Sequence, residues 1–461
     1  MINSKQNVHF IGIGGSGMAT LAQMSLEAGF EVSGSDTSAS LNLLALQKNG
    51  AQIFHHHSPG HLQSNPIVVY SSAIPPANIE IQEAQNRGLP LIHRSVWASS
   101  LLFPRACLLV VGTHGKTTTS SMLASTLYQS DPSTSFAVGG VLKQFGTGGK
   151  YAAGKWSVIE GDESDASFLN FFPHTVLATN IAADHLDFYP DIEAIERTFY
   201  SLFQKIPKNG CLVYCADDPV LSKVARSWNG KKLSYGLNHS AQIIAKNIQY
   251  CGSSSLFTPI VMGKEGEPVR INMPGPHNIS NALGVLACCH SIGIPDSNAK
   301  MGLELFGGVE QRFEYIGQIN NHTFYSDYAH NPQKIEAALH GARLSFPSHQ
   351  IIAIFEPHRY SRVEGLKNEF AKSFHHANQV WVAPIYAAGE APLESYDAND
   401  WIPLIQRSHA SVKVKIFSDF EGILDQMKIM VKELTFKHPT LFITLGAGKV
   451  KSIFSHFNEI K

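Results

Sequence analysis

The chain has 461 residues, of which 44% are hydrophobic and 16% are charged. This composition excludes an extended disordered chain and supplies the apolar side chains for about three domain cores. Its 36 Lys and Arg residues nearly balance its 37 Asp and Glu residues, so the charge does not indicate a nucleic acid or an anionic membrane, and we expect small-molecule partners.

Targeting and redox features favour a cytoplasmic protein. The first residues lack the order of basic, apolar and small residues that marks a signal peptide, and no apolar run approaches the roughly 18 residues of a membrane span. The 6 cysteines match neither a disulfide framework nor a zinc-ribbon spacing, so we expect reduced thiols. The sequence leaves open whether the chain is a monomer or a homodimer.

The first predicted unit is a strand, a glycine-rich loop, a helix and a second strand. The apolar residues 8–11 predict a buried strand, residues 12–17 follow as G-x-G-x-x-G, and a helix is predicted over residues 18–28. The glycines of this loop are Gly12, Gly14, Gly15 and Gly17. With Asp36 at the end of the next strand, the pattern is typical of a dinucleotide site, but the same loop binds the pyrophosphate of a UDP-sugar as well as that of NAD.

Two further strands extend this α/β alternation to about residue 104. They are predicted over residues 67–70 and 89–92. The polar residues at their ends are Ser71, Ser72, His93 and Arg94. Because the carboxyl ends of parallel strands meet at one edge, we expect these side chains near the ligand of the first loop. The histidines at positions 55–57 are interpreted as a solvated loop, since three adjacent side chains in a turn cannot converge on one metal ion.

A second loop predicts a phosphate-binding site. The apolar run 107–111 precedes it and a helix is predicted from near Ser120, which is the context that a phosphate-binding loop requires. Lys116 supplies a positive charge, and Thr117 supplies a hydroxyl that can reach Mg²⁺. The longer Walker pattern has a glycine where this chain has Val110, so the loop is a variant. The residues expected to contact a nucleotide are Gly112, Thr113, His114, Gly115, Lys116, Thr117 and Thr118.

Polar residues end two strands that follow this loop in the chain. Glu160 ends a strand predicted over residues 156–160, and His185 follows a strand predicted over residues 175–181. Mg²⁺ prefers carboxylate oxygens and shares its coordination sphere with phosphates, so Thr117 and Glu160 are expected ligands and His185 is a further candidate. An acidic run is also typical of a solvated surface, but its position at strand ends favours the metal site.

A helix with polar residues at its start comes next. It is predicted to begin near His277, and Asn278 and Asn281 either cap the helix or contact a nucleotide base. Gly307 and Gly308 then permit bending, which is typical of a joint between domains.

The remainder of the chain again alternates apolar strands with charged or aromatic strand ends. Arg359 and Arg362 follow one such strand, and a planar guanidinium is suited to hold a carboxylate through two hydrogen bonds. The predicted fold class is therefore α/β with three domains. These are a Rossmann-like N-terminal domain over residues 1–104, a P-loop-type central ATPase domain over residues 105–308 and a Rossmann-like C-terminal domain over residues 309–461.

Nearly the whole chain resembles the Mur ligases of bacterial peptidoglycan synthesis. The matching pieces are HFIGIGGSGM, GTHGKTTT, EGDESDASFL, TNIAADHLDFY, PGPHNISNA, QRF, DYAHNP, EPHRYSR and YAAGEAP. The resemblance implies a ligase that uses ATP and Mg²⁺ to convert the lactyl carboxylate of UDP-N-acetylmuramate to an acyl phosphate, which the amine of L-alanine then attacks. It implies no nucleic acid partner and no insertion into a membrane.

The resemblance also implies roles for particular residues. Those implied to surround the UDP-sugar are Gly12, Gly14, Gly15, Gly17, Asp36, Ser71, Ser72 and Arg94. Those implied to hold ATP phosphates or Mg²⁺ are Lys116, Thr117, Glu160 and His185. Those implied to contact the rest of ATP are His277, Asn278, Asn281, Arg312 and Asp327, and those implied to handle L-alanine are Tyr328, His358 and Arg362. The residues expected to be catalytic are Lys116, Glu160, His185 and Arg362.

Several alternatives stay open. A ligase of cell-wall recycling would join the same acid to a tripeptide, although EPHRYSR favours L-alanine. An NAD-dependent oxidoreductase would use the first loop but would leave the second loop, Glu160 and His185 without a role. A protein that only senses the UDP-sugar would need an inactive ATP site. Several later ligases of the pathway carry a carbamylated lysine where this chain has Tyr200, which argues against those enzymes.

Overall fold

The structure is a computed structural model of the chain, and it describes residues 6–38, 40–185, 188–238, 240–432 and 439–456. The chain forms two compact units. Unit 1 comprises residues 1–246, 258–269 and 280–307, and unit 2 comprises residues 247–257, 270–279 and 308–461. Unit 1 therefore ends at Gly307, within the predicted glycine joint. The domain boundaries predicted at residues 104 and 308 stay predictions.

The N-terminal part of unit 1 is a parallel sheet with helices. Its strands are β1 (Asn7–Ile11), β2 (Glu31–Ser35), β3 (Gln52–Phe54), β4 (Ile67–Tyr70) and β5 (Leu91–His93). Its helices are α1 (Ser16–Glu27), α2 (Leu41–Lys48), α3 (Ile79–Asn86) and α4 (Arg94–Leu102). The strand order is β3-β2-β1-β4-β5 and every neighbouring pair is parallel. The order reverses beside β1, so the ligand crevice of this Rossmann-like sheet lies at the end of β1.

A second sheet follows, with eleven strands among the described residues. They are β6 (Ala106–Val111), β7 (Ser135–Leu142), β8 (Thr147–Lys150), β9 (Trp156–Glu160), β10 (Pro173–Ala178), β11 (Cys211–Cys215), β12 (Lys232–Gly236), β13 (Ile243–Cys251), β14 (Ser254–Val261), β15 (Lys264–Glu265) and β16 (Val269–Ile271). The order among the described residues is β15-β14-β13-β12-β11-β10-β6-β9-β7-β8, and β16 pairs with β14. The apolar strand β6 lies between β9 and β10, parallel to both, which explains its continuous burial.

The helices that accompany this second sheet include the one that follows the phosphate loop. They are α5 (Lys116–Ser130), α6 (Ile192–Phe203), α7 (Pro219–Ser227), α8 (Pro276–Ser291) and α9 (Asp296–Glu304). The start of α5 differs from the prediction near Ser120, because Gly115 adopts a left-handed conformation (φ 82°) that lets the helix begin directly at Lys116. Short 3₁₀ helices span Pro59–Leu62, Ser167–Asn170, Ala398–Asp400 and Val450–His456.

The C-terminal sheet belongs to unit 2. Its strands are β17 (Glu314–Ile319), β18 (His322–Asp327), β19 (Gln350–Phe355), β20 (Gln379–Val382), β21 (Lys413–Ile416) and β22 (Thr440–Leu445), and its helices are α10 (Pro332–Ser345), α11 (Tyr360–Lys372), α12 (Trp401–Ser408) and α13 (Phe420–Lys432). The order is β17-β18-β22-β19-β20-β21, with β17 antiparallel to β18 and the other pairs parallel. Separate apolar clusters, one around Phe355 and Trp401 and one around Trp381 and Phe442, form its core.

Two sequence expectations concern thiols and membranes. Cys107, Cys211, Cys215, Cys288 and Cys289 are buried free thiols and Cys251 is an exposed one, which confirms the expectation of reduced cysteines. Within the part of the chain that the structure describes, no helix is long and apolar enough to cross a membrane.

The interpretation of residues 55–57 as a solvated loop is wrong for His57. Glu80 of α3 is fully buried, and its carboxylate lies 3.1 Å from His57 Nδ1 and 2.9 Å from His61 Nδ1. The Ser35 hydroxyl donates a further hydrogen bond to it. Burial alone would raise the pKa of Glu80, but its contacts with His9, Ser35 and His61 lower it to about 2. A buried carboxylate therefore draws His57 inward, while residues 55 and 56 are exposed as expected.

Candidate functional site

The first glycine loop is held by a carboxylate of the neighbouring strand. Asp36 follows β2, and its carboxylate accepts the backbone N–H of Gly14 and that of Ser38, each at 2.9 Å. Helix α1 begins after Gly15, and no side chain caps it. Its first N–H groups can therefore bind an anion, as the sequence predicts for the pyrophosphate of a UDP-sugar.

The ends of β4 and β5 pack closely on this loop. A methyl group placed on Gly12 would lie 2.9 Å from the Ile74 side chain, and the N–H of Ile74 bonds the carbonyl of Ser71 at 3.0 Å. A methyl group placed on Gly17 would lie 2.9 Å from Arg94 Nη1. The structure thus brings Arg94, and Ile74 of the turn that begins at Ser71, to the first loop, where glycine is needed for the close approach.

Several of these strand-end side chains also bind the segment that follows β9. Arg94 Nη2 donates to Asp162 Oδ2 at 2.6 Å. The Ser72 hydroxyl donates to Asp165 and lies 3.1 Å from His93 Nε2. Burial lowers the pKa of His93, although Asp165 opposes this effect. Ser72, His93 and Arg94 therefore connect the N-terminal sheet to the central sheet within unit 1.

The second loop is shaped by the residues that end β10. Gly112 has φ +137°, and a methyl group there would overlap the Thr179 hydroxyl. That hydroxyl donates to the carbonyl of His114 at 2.6 Å, and the Asn180 side chain accepts the N–H of His114 at 2.8 Å and donates to its carbonyl at 2.9 Å. This frame leaves Gly115 as the N-cap of α5, and because no side chain caps the helix, its N-terminus can bind a phosphate.

Lys116 is paired with a buried carboxylate. Its ammonium group donates to the carbonyls of Gly112 at 2.6 Å and Thr113 at 3.3 Å, and to Glu163 Oε1 at 2.7 Å. Burial raises the pKa of Glu163, and Lys116 opposes this effect. His185 Nε2 lies 3.7 Å from the same Glu163 oxygen. The lysine is thus held back on its own loop beside the residues predicted to bind phosphates.

Glu160 lies at the first turn of α5. Its Oε1 accepts the Thr117 hydroxyl at 2.8 Å, and its Oε2 accepts the N–H of Gly139 at 2.6 Å and the Ser120 hydroxyl at 3.2 Å. Thr117 and Thr118 are buried. The structure therefore brings together Thr117 and Glu160, two of the predicted Mg²⁺ ligands, whereas the third, His185, faces Glu163.

A cavity of about 310 Å³ joins the two loops within unit 1. Its lining includes Gly17 in the first turn of α1, the cations Arg94 and Lys116, and the carboxylates Glu160 and Asp162. One open space therefore contacts the last glycine of the predicted UDP-sugar loop and the lysine of the predicted ATP loop.

The first residues of α8 are assigned to different units, with residues up to 279 in unit 2 and residues from 280 in unit 1. Asn281, in unit 1, is buried, and its side-chain oxygen lies 3.0 Å from a methyl group placed on Gly115 of the phosphate loop. In unit 2, Asn278 donates to the carbonyl of Pro274 at 2.7 Å, and burial lowers the pKa of His277 to about 4. His277 is therefore neutral at physiological pH.

Unit 2 contains the residues of the predicted C-terminal domain that are expected to contact ATP or L-alanine. The carboxylate of Asp327 accepts the N–H groups of Phe313 at 2.7 Å and Ala329 at 2.8 Å. Burial raises the pKa of Asp327, and Arg312 opposes this effect. The Arg312 guanidinium lies 5.0 Å from the centre of the Tyr328 ring, a cation–π distance.

Arg362 and His358 also lie together in unit 2. Arg362 Nη1 is 3.0 Å from His358 Nδ1, and burial followed by the Arg362 charge lowers the pKa of His358. The His358 ring packs against the rings of His330 and Tyr386, with centroid distances of 5.7 and 5.4 Å. The neutral His358 ring thus accepts a hydrogen bond from Arg362 Nη1, and the rings of His330 and Tyr386 lie beside it.

Comparisons with known proteins match three successive parts of the chain to one family. The family models described as Mur ligase family catalytic domain, Mur ligase middle domain and Mur ligase glutamate ligase domain match residues 7–103, 110–289 and 311–447. UDP-N-acetylmuramate–L-alanine ligase from Geobacter sp. (strain M21) is 36% identical over 450 residues, which cover 98% of this chain and 96% of the relative. The same-named enzyme from Methylorubrum extorquens (strain PA1) is 37% identical over 86% of both chains.

The chain belongs to the Mur ligase family. Among solved structures, UDP-N-acetylmuramate–alanine ligase from Thermotoga maritima matches with a TM-score of 0.80 and 26% identity over 98% of each chain. A murein peptide ligase from Psychrobacter arcticus matches with a TM-score of 0.69 and 24% identity over 99% of this chain and 98% of the other, which shows a shared fold. The predicted three-domain α/β fold class is therefore confirmed.

Sequence reasoning assigned no role to several residues that shape the site of this Mur ligase. They are Asp162, Glu163 and Asp165 after β9 and Thr179 and Asn180 after β10. The three acids lie within EGDESDASFL, so the motif marked their position. Nothing in the motif distinguishes which of them faces Arg94 and which faces Lys116.

Proposed function

We propose that this Mur ligase joins L-alanine to the lactyl carboxylate of UDP-N-acetylmuramate with ATP, in the synthesis of peptidoglycan precursors. The observation that carries the proposal is the cavity lined by Gly17, Arg94, Lys116 and Glu160, because a carboxylate delivered by a UDP-sugar must meet the ATP phosphates in one shared space. The relatives that carry this activity in their names cover nearly the whole chain. They confirm the sequence prediction of an ATP-dependent amide-forming ligase.

The reaction needs an activated acid, because a carboxylate oxygen is too poor a leaving group for direct attack by an amine. Transfer of the γ-phosphoryl group of ATP to the lactyl carboxylate gives an acyl phosphate and ADP. The amine of L-alanine then attacks the carbonyl carbon, loses a proton, and phosphate leaves to give the amide. Lys116, at the end of the phosphate loop, stabilises the negative charge on the transferred group.

We propose that Thr117 and Glu160 hold Mg²⁺, with His185 completing the site. The Thr117 and Glu160 oxygens lie 2.8 Å apart and are donors of the kind that Mg²⁺ prefers. Among the described residues, no group of three or more His, Cys, Asp or Glu side chains could hold a metal ion. We propose that phosphate oxygens of ATP join Thr117, Glu160 and His185 as ligands. Bound Mg²⁺ would neutralise charge on the phosphates. Calorimetric titration of Glu160→Gln with ADP, with and without Mg²⁺, tests this, and equal Mg²⁺ enhancement in variant and wild type would contradict it.

For the amino acid, we propose recognition by Arg362, His358 and Tyr328. A planar guanidinium can hold the carboxylate of L-alanine through two hydrogen bonds, and His358 orients it through the 3.0 Å contact. Arg362→Lys should therefore raise the KM for L-alanine strongly, because a point charge cannot keep both parallel hydrogen bonds. Arg312, Asp327, His277, Asn278 and Asn281 are proposed to contact ATP away from the phosphate loop.

Release of phosphate with UDP-N-acetylmuramate, ATP, Mg²⁺ and each candidate amine tests the proposal. We expect L-alanine to be the best acceptor and glycine to be poorer, since one methyl group provides only about 1–3 kcal/mol of discrimination. Better turnover with L-Ala-γ-D-Glu-diaminopimelate would establish the recycling ligase instead. The same assay with NADH as a competitor should show no displacement of the UDP-sugar. A cytoplasmic location, where ATP is available, is part of the proposal.

A further inference from the structure

The segment of residues 162–170, which follows β9, is fastened to the N-terminal sheet at several points. Asp162 Oδ2 accepts from Arg94 Nη2 at 2.6 Å, and Asp165 accepts from the Ser72 hydroxyl. At the other end of the segment, Asn170 donates to the Ser95 hydroxyl at 2.8 Å. These contacts fix the segment against the strand ends that carry the predicted UDP-sugar contacts.

Two adjacent carboxylates of this segment serve different loops. Asp162 binds Arg94, which packs on the first loop, while Glu163 binds Lys116 of the second loop at 2.7 Å. Asp162 is itself held, because its Oδ1 accepts the N–H of Ser164 at 3.0 Å. The Asp162 carboxylate is therefore fixed through both of its oxygens, one by the Ser164 N–H and one by Arg94.

The pairing fixes one side of the Arg94 guanidinium and leaves the other side facing the loop. Nη2 is bonded to Asp162, and Nη1 lies 2.9 Å from the position of a methyl group on Gly17, in the first turn of α1. Gly17, Arg94 and Asp162 all line the 310 Å³ cavity. A guanidinium held through one nitrogen in this way is oriented without being occupied, so an anion at the start of α1 can still bind Nη1.

We propose that Asp162 is a positioning residue for the anionic part of the UDP-sugar: it holds Arg94 over the first turn of α1 and acts on the substrate only through that guanidinium. Glu163 does the same for Lys116 on the ATP side, so one dipeptide aligns the cations of both substrates. The inference rests on the proposed function, because it takes the ligand of the first loop to be UDP-N-acetylmuramate.

The test compares Asp162→Asn with Glu27→Gln, a matched control. Glu27 also joins the two sheets of unit 1, because its carboxylate accepts the N–H of Tyr151 at 2.7 Å, but it lies at the end of α1 away from the first loop. Loss of one charge-assisted hydrogen bond should raise the KM for UDP-N-acetylmuramate about tenfold in Asp162→Asn, with kcat and the KM for ATP within about twofold of wild type. Glu27→Gln should leave all three within about twofold. If both variants raise the KM equally, the carboxylates are only structural connections between the sheets and the proposal is wrong.

A double-mutant cycle with Arg94→Ala supplies the second measurement. If Asp162 acts only through Arg94, adding Asp162→Asn to Arg94→Ala should cause no further loss of affinity for UDP-N-acetylmuramate, measured by calorimetry. Additive losses would contradict the proposal. Should Asp162→Asn fail to fold, Asp162→Glu, which keeps the charge at a shifted position, should raise the KM severalfold, and an unchanged KM would contradict the proposal. If wild-type protein does not bind UDP-N-acetylmuramate at all, the proposed function fails instead.

Discussion

The two glycine loops of unit 1 share one backbone design but place their positive charge differently. Each follows a buried parallel strand and leads into a helix that no side chain caps at its N-terminus. The first loop contains no cation, its Gly14 N–H is bonded to Asp36, and Arg94 reaches it from another helix. The second loop carries Lys116 within it. A loop that only binds an anion can take its charge from elsewhere, whereas a loop that acts on a transferred phosphoryl group needs the charge in place.

The side chains that hold each loop in place, which we call its support, differ as well. The end of β2, beside the first loop, is tied through Ser35 to the buried carboxylate of Glu80. The second loop is tied by neutral hydrogen bonds from Thr179 and Asn180 to His114. We therefore expect the first support to respond to pH through its charge and the second to respond to steric change.

Lys116→Ala should have the largest effect, and it should impair the function of the second loop while leaving that of the first loop intact. Loss of the ammonium group should lower the rate of phosphate release by about 10³-fold or more, since it removes charge stabilisation during phosphoryl transfer. Binding of UDP-N-acetylmuramate, measured by calorimetric titration, should stay within about threefold of wild type because Lys116 does not touch the first loop. Loss of both functions together would contradict the distinction between a binding loop and a reacting loop.

Gly112→Ala should come next, because the second loop has no room for a methyl group. The left-handed φ of Gly112 and the overlap with the Thr179 hydroxyl force the loop to move. We expect a loss of about 2–4 kcal/mol in the free energy of unfolding and about 100-fold in kcat/KM for ATP. Urea denaturation and initial-rate kinetics measure the two effects. Wild-type values for both would show that the loop is not rigidly framed.

The loops were predictable from the sequence because their determinants are local. A buried strand, glycines at fixed spacing and a following helix are read from consecutive residues, and Lys116, Thr117 and Glu160 follow from their positions at strand and helix ends. The Arg94 partner of Asp162 was not predictable, because it depends on how two sheets pack, and the Lys116 partner of Glu163 depends on the pairing of β6 with β9. His57 was misassigned because the carboxylate that binds it, Glu80, lies on a helix distant in the chain.

Glu80→Gln should produce a pH-dependent loss of stability at the first support. The pKa of Glu80 is lowered from 4.5 to about 2, so its carboxylate stabilises the fold fully above pH 4.5, and this contribution is lost as the pH falls toward 2. The difference in free energy of unfolding between wild type and variant should be about 3 kcal/mol near neutral pH and should shrink on acidification. Thermal unfolding at several pH values measures it.

Glu163→Gln is the matched variant on the second loop, and its pH dependence should have the opposite sign. Burial raises the pKa of Glu163 above its usual value, so Glu163 binds a proton more readily in the folded than in the unfolded chain. Wild type should therefore lose stability relative to Glu163→Gln as the pH rises through that raised pKa. The same sign for Glu80→Gln and Glu163→Gln would remove the contrast between these two buried carboxylates.

Gly15→Ala should have the smallest effect on stability, and it tests how closely a ligand approaches the first loop. Gly15 has an ordinary φ of −64°, and a methyl group there would lie 3.5 Å from the carbonyl of Gly12, which is normal contact. We expect less than about 0.5 kcal/mol of change in the free energy of unfolding, in contrast to Gly112→Ala. The methyl group would instead occupy space that a pyrophosphate needs at the start of α1. The KM for UDP-N-acetylmuramate should therefore rise severalfold while kcat and the KM for ATP stay unchanged. A rise in the KM for ATP, or a clear loss of stability, would show that the two loops are more alike than their contacts indicate.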